Sequence, residues 1–214
     1  VLVAGGFTTN SVSTGATATC EIYDPRSDRW YPTGSLATAR YNHTTTLMPD
    51  GNVIAVGGYK DGTYLDTAEI YYSTAGAWRT LPQMPPLGSG GRARHTANLL
   101  QDGTLLVSGG FNGIRIGTSL RYIPPNAATG EVGFRWSATC DMTDGGANDK
   151  GKRFDHSATT LKGGNIIVIG GNNESGDLRE SVIFTLNGRA RTDGQLCSDA
   201  CGGCWKRGQV SQDL

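Results

Sequence analysis

Three histidines, His43, His95 and His156, each stand fourteen residues before a pair of glycines, and each has an arginine three residues ahead of it: Arg40, Arg92 and Arg153. Imidazole is a common metal ligand, so three in register raise the question of a metal cluster. Repetition argues otherwise. One histidine per repeat at one equivalent position spreads the three apart, and they are read as structural residues bonding the neighbouring backbone or the neighbouring repeat. The arginines are read as hydrogen-bonding between repeats, close enough to a connecting loop to reach a ligand.

The cysteines are the second candidate group. Cys197, Cys201 and Cys204 fall in a glycine-rich insertion at 189–204, with Cys20 and Cys140 elsewhere. Zinc takes four thiolate or imidazole ligands, so three cysteines make an incomplete site unless Cys140 or Cys20 completes it. Disulfides in an oxidising compartment explain the pattern more simply, because bridges would pin a segment poor in apolar residues. Five is odd, so one cysteine is expected to pair outside the chain or stay free.

Other chemistry finds little support. Asp144 to Asp149 holds two acids and an asparagine able to meet calcium, but not at EF-hand spacing, and reads as a surface loop. No Gly-x-Ser-x-Gly, His-Glu-x-x-His or phosphate-binding loop before a helix is found. The glycines of Leu87 to Gly91 precede a strand and read as a connecting loop. No metal, cofactor or catalytic residue is expected. Two glycosylation sequons occur, at Asn42 and Asn173. Asn42 is expected to be partly buried at the start of an inner strand, which leaves Asn173, in a loop, as the acceptor.

The elements that position these residues follow from the composition. The chain has 214 residues, 32 of them glycine, with 37% hydrophobic and 18% charged residues. That mixture is rich in strands and turns and is not that of a disordered chain. Nineteen basic residues balance nineteen acidic ones, so no broad cationic field draws in nucleic acid or an anionic bilayer. The longest apolar runs, such as Ile166 to Ile169, fall far short of the ~20 residues that span a bilayer, and no membrane insertion is expected.

The glycine pairs, at Gly5-Gly6, Gly57-Gly58, Gly109-Gly110 and Gly170-Gly171, recur after steps of 52, 52 and 61 residues. Between each histidine and its glycines stand two short apolar runs split by Asp50-Gly51, Asp102-Gly103 or Gly163-Gly164, which is the signature of a hairpin. A third strand then ends in an aromatic residue, Tyr23, Tyr71, Tyr122 or Phe184, and a tryptophan follows each: Trp30, Trp78, Trp136 and Trp205. Each unit is therefore four antiparallel strands, and units of that size bury both faces only by stacking around an axis. The expected fold is an all-β propeller, with blade parts at 1–36, 37–86, 87–143 and 151–214, about three and three-quarter blades.

The double glycine after strand two, the aromatic of strand three and the later tryptophan resemble the kelch-repeat family. The wording around Ala39 to Thr44 and Glu21 to Pro25 looks most like kelch units of secreted proteins and of the galactose oxidase central domain, and less like intracellular ubiquitin-ligase adaptors. Kelch propellers usually have six or seven blades, so the resemblance implies a segment of a larger propeller, with a closed four-bladed ring as the alternative. In galactose oxidase and its relatives, copper-radical tyrosines stand just before the histidine position. Here those places hold Asn42, Arg94 and Asp155. These blades therefore lack the resemblance's copper site.

With chemistry unsupported, function is expected in recognition. The loops after the glycine pairs, at 7–17, 59–65, 111–117 and 172–180, should project on one face. Phe7, Tyr59, Lys60, Phe111, Asn112, Arg115, Asn172 and Asn173 would offer aromatic, amide and cationic groups to a protein or glycan partner or to neighbouring subunits. The chain reads as a noncatalytic extracellular or cell-surface interaction module. The alternatives are a galactose oxidase-like domain whose site lies in blades not present here, and an intracellular kelch adaptor.

Overall fold

The computed structural model describes residues 1–9, 14–86, 90–125, 133–142, 151–186 and 203–207. They fall into two compact units, residues 1–86 with 90–93, and the chain from Arg94 onward. Four antiparallel sheets carry the fold, each a meander in chain order. Each has the four-strand meander of a β-propeller blade, or three strands of one.

The first unit holds two sheets. One has three strands, Leu2–Thr9, Thr14–Asp24 and Arg29–Thr33. The other has four: Thr44–Leu47, Val53–Val56, Ala68–Tyr72 and Ala77–Thr80. The second unit repeats the four-stranded pattern twice. Its sheets are Thr96–Leu99, Leu105–Ser108, Ser119–Ile123 and Arg135–Ala138, then Ser157–Thr160, Ile166–Ile169, Ser181–Leu186 and Gly203–Arg207.

The hairpin turns form where the sequence places them. Gly51, Gly103 and Gly164 adopt φ of 82°, 80° and 84°. In each turn the glycine N–H donates to the carbonyl three residues back, Met48, Leu100 or Leu161. In two of the sheets the second strand is covered on both faces, so Ile54, Ala55, Val56, Leu105, Leu106 and Val107 are wholly buried. First strands are more exposed, which is why they are written in threonine and serine.

Outer strands are pinned by one ring pair per sheet. Tyr23 faces Trp30, Tyr71 faces Trp78, Tyr122 faces Trp136 and Phe184 faces Trp205 in the register. Their centroids lie 5.2, 5.2, 5.4 and 5.1 Å apart, within the range where aromatic pairs attract. Between sheets the packing is apolar. Cys20, Leu36 and Ala55 form one core cluster in the first unit, and Leu106, Met142, Val168, Phe184 and Trp205 belong to a core cluster in the second.

Several expectations need correction. Where described, the segments after the glycine pairs are paired backbone, as β ribbons or, between Phe111 and Arg115, a single bridge. The first strand runs through Gly5-Gly6 with a bulge, Tyr59–Lys60 pairs with Thr63–Tyr64, and Asn172–Asn173 pairs with Gly176–Asp177. Cys20, expected in a disulfide, is a free buried thiol that donates to the Ala18 carbonyl at 3.5 Å. Apolar packing against Leu36 and Ala55 holds it there, and burial raises its pKa. Cys140 is disulfide-bonded. Cys197 and Cys201, most of the 189–204 insertion, the Asp144–Asp149 stretch and Leu87 to Ser89 lie outside the described residues, as does the side chain of Cys204.

Candidate binding face

The repeated residues build a clamp between sheets. The backbone carbonyl of each repeat arginine accepts a hydrogen bond from the second glycine of the preceding repeat: Gly6 to Arg40, Gly58 to Arg92 and Gly110 to Arg153, each at 2.8 Å. The guanidinium does a different job from the one expected of it. Arg40 turns into its own repeat, donating to the Gly57 and Thr67 carbonyls and pairing with Glu69 at 2.7 Å. Arg153 likewise donates to Gly170 and Glu180 at 3.0 and 3.2 Å. At Arg40 and Arg153 it is therefore the backbone carbonyl, not the guanidinium, that links one repeat to the next.

Histidine fills the space this clamp leaves. His43 Cε1 would stand 3.0 Å from a Cβ on Gly5, and its own Cβ 2.9 Å from one on Gly58. His156 stands the same way against Gly109 and Gly171, at 2.8 and 2.9 Å. A side chain at Gly5 or Gly109 would therefore press on the imidazole and on the arginine carbonyl together. Burial, and then the neighbouring Arg40 or Arg153 charge, lowers the pKa of both rings to about 4, so both are neutral near pH 7. His156 Nε2 meets Thr96 Oγ1 at 2.9 Å. Among the described residues no three metal-ligating side chains come together.

One residue before each histidine the backbone turns left-handed: Asn42, Arg94 and Asp155 have φ of 53°, 57° and 53°. Such angles are uncommon outside glycine and mark positions fixed by their surroundings. All three side chains are exposed. The residue before this kink pairs with the ribbon, Tyr41 with Tyr59 and Phe154 with Asn172. Each also meets the ring that follows the preceding glycine pair. Phe7 lies 4.9 Å from Tyr41, and Phe111 lies 5.1 Å from Phe154.

In the first unit this makes a continuous row of rings. Phe7 touches Tyr41, Tyr41 touches Tyr59 at 5.5 Å, and Tyr59 touches Tyr64 at 4.8 Å. Phe7 is half exposed, and Lys60 borders the row. In the second unit the guanidinium carbons of Arg94 and Arg115 lie 5.8 and 6.0 Å from the Phe154 centroid. Arg94 also pairs with Asp155 at 3.2 Å. Beside them an open depression of about 440 Å³ is lined by Phe154, Asp155, Gly171, Asn172, Asp177 and Leu178.

Comparison with known proteins agrees with this geometry. Residues 40–85 match the Kelch motif. The repeat at 40–85 is a kelch motif. Kelch-like protein 7 of Rattus norvegicus is 30% identical over 114 residues, 53% of this chain and 18% of that protein. Kelch-like protein 23 of Homo sapiens is 32% identical over 115 residues, 54% of this chain and 19% of that protein. Galactose oxidase of Gibberella zeae is 32% identical over 62 residues, 28% of this chain and 9% of that enzyme. The chain thus spans about a fifth or less of these relatives. A solved structure, that of YjhT, superposes with a TM-score of 0.58 at 12% identity, covering 88% of this chain and 79% of that one.

Within the kelch framework the expected binding residues separate by unit. Phe7, Tyr59 and Lys60 come together in the first, and Phe111, Asn112, Arg115 and Asn172 sit on the ribbons of the second. Asn173 departs from expectation. It is 7% exposed and its Oδ1 accepts from the Ser175 N–H at 2.8 Å, so it lies inside a tight turn and not in an open loop. Asn42, expected to be partly buried, is the exposed sequon, because the left-handed kink turns its side chain outward. Tyr41, Tyr64, Phe154 and Arg94 were not singled out for binding by sequence. The ring two places before a kelch histidine was the signal available.

Proposed function

We propose that this kelch segment is a noncatalytic binding module of a larger extracellular or cell-surface protein, and that its ribbon face holds a protein or glycan partner or a neighbouring subunit. The row Phe7, Tyr41, Tyr59 and Tyr64 carries this reading: contiguous rings at a ribbon edge, one of them half exposed, offer apolar area with phenolic hydroxyls. Such groups are enriched where binding energy concentrates. The cysteine content supports an oxidising setting. Glycan and peptide arrays probed with the full-length protein and with its Phe7→Ala/Tyr59→Ala variant test it. Loss of the wild-type signals in a folded variant supports the reading, and identical array profiles refute it.

The match to galactose oxidase favours one second reading, a copper-radical oxidase domain with its site in other blades. Against it, Asn42, Arg94 and Asp155 occupy the places of the radical tyrosines. Copper titration of the natural protein followed by electron paramagnetic resonance separates the two readings. The intracellular adaptor reading is favoured by the matches to kelch-like proteins and by the free thiol of Cys20. Alkylation of the natural protein with and without reduction decides between the compartments.

A further inference from the structure

The patch around Phe154 differs in chemistry from the ring row of the first unit. Arg115 brings its guanidinium carbon to 6.0 Å from the Phe154 centroid, its buried Nε has no hydrogen-bond partner, and its guanidinium pairs with no carboxylate among the described residues. Arg94, Arg121 and Arg40 by contrast each hold an acid: Asp155, Asp102 and Glu69. An arginine stacked on a ring and left without an acid is built to receive a carboxylate, because its planar fork matches that group.

The adjoining depression carries the opposite charge. Asp155 and Asp177 both line it, and each carboxylate uses only one oxygen on a protein donor. Asp155 Oδ2 meets Arg94, and Asp177 Oδ1 accepts from Asn172 Nδ2 at 3.1 Å. The second oxygen of each is open to a hydroxyl donor. Phe111 and Phe154 add an apolar ring pair. A ligand that satisfies all of these has one carboxylate, several hydroxyl donors and an apolar ring face. A polyglutamate peptide has no side-chain hydroxyl to offer Asp155 and Asp177 and would set carboxylates against them instead.

We propose that this patch binds a hexuronate residue of an acidic glycan, with its carboxylate on Arg115, its hydroxyls on Asp155, Asp177 and Asn172, and its C–H face on Phe154. The inference rests on the ribbon face being a binding surface and names the ligand class of its second-unit half.

The test is calorimetry of the full-length protein with trigalacturonate, its methyl ester and a hexaglutamate peptide. Trigalacturonate is expected to bind, with the ester about tenfold weaker, the loss that one charge-assisted hydrogen bond carries. Arg115→Gln is expected to abolish the preference for acid over ester, and Asp177→Asn to weaken both. Equal binding of acid and ester, an unchanged preference in Arg115→Gln, tighter binding of hexaglutamate, or no binding at all would each overturn the inference. Melting temperatures of the variants within 2–4 °C of wild type exclude unfolding as the cause. The array experiment with Phe7→Ala/Tyr59→Ala reads the other unit, so the broader face can stand while the hexuronate fails, and the reverse.

Discussion

Arg40 Nη2 lies 2.7 Å from Glu69 Oε1 with both side chains sealed from solvent, and the same carboxylate accepts the N–H groups of Ala37 and Thr38 at 2.7 and 3.1 Å. One buried ion pair thereby fixes the segment that enters the second sheet. Removing one partner strands a buried charge, which costs about 3–5 kcal/mol. Arg40→Met and Glu69→Gln should each lose stability of that order in denaturant unfolding, and the double variant should lose less than the sum. Additive losses would show that the two residues act independently.

Histidine gives the fold a pH dependence of known sign. His43 and His156 have pKa values lowered to about 4, chiefly by burial, against 6.5 unfolded. The unfolded chain therefore takes up their protons first. Their contribution to stability is complete above pH 6.5 and is lost as the pH falls toward 4. Melting temperature should decline through that window, and less steeply in His156→Gln. A profile flat between pH 7 and 4.5 would contradict the buried neutral state.

The glycine pairs should resist substitution. A Cβ on Gly58 would meet His43 Cβ at 2.9 Å from a backbone at φ 106°, and one on Gly109 would meet the Arg153 carbonyl oxygen at 2.7 Å. Alanine at either should cost more than the ~1–3 kcal/mol of backbone strain alone. Gly163→Ala, where nothing lies within 4 Å, should stay within about 0.5 kcal/mol. Equal effects at all three would remove the clamp from the account.

The two sequons should behave differently. Asn42 is exposed at a left-handed kink, whereas Asn173 is 7% exposed and bonded within its turn. Peptide mapping after secretion from a eukaryotic host should find a glycan on Asn42 and none on Asn173. Occupancy of Asn173 in folded protein would contradict its burial.

Much of the fold was legible because the repeats punctuate it. Asp50-Gly51 and Asp102-Gly103 demand positive φ, and the aromatic and tryptophan of each repeat meet across two neighbouring strands, so pattern alone places them. The binding face was legible only in part. Phe7, Tyr59 and Phe111 follow the glycines in sequence, but their partners Tyr41 and Phe154 come from the next turn of chain, a contact that no local periodicity encodes. The exposure of the sequons was inverted for the same reason. The kink at Asn42 arises from tertiary pairing of Tyr41 with Tyr59, and the burial of Asn173 from a two-residue ribbon too short to show as a strand pattern.

The central claim is that the ribbon edge is the contact face. Hydroxyl-radical footprinting of the full-length protein, isolated and in its native surroundings, tests it most directly. Protection should fall on the peptides of Phe7, Tyr41 and Tyr59 and spare Trp30 and Tyr31, which are 49% and 46% exposed on the outer strand of the first sheet. Protection of Trp30 and Tyr31 with the ribbon rings left reactive would contradict the account.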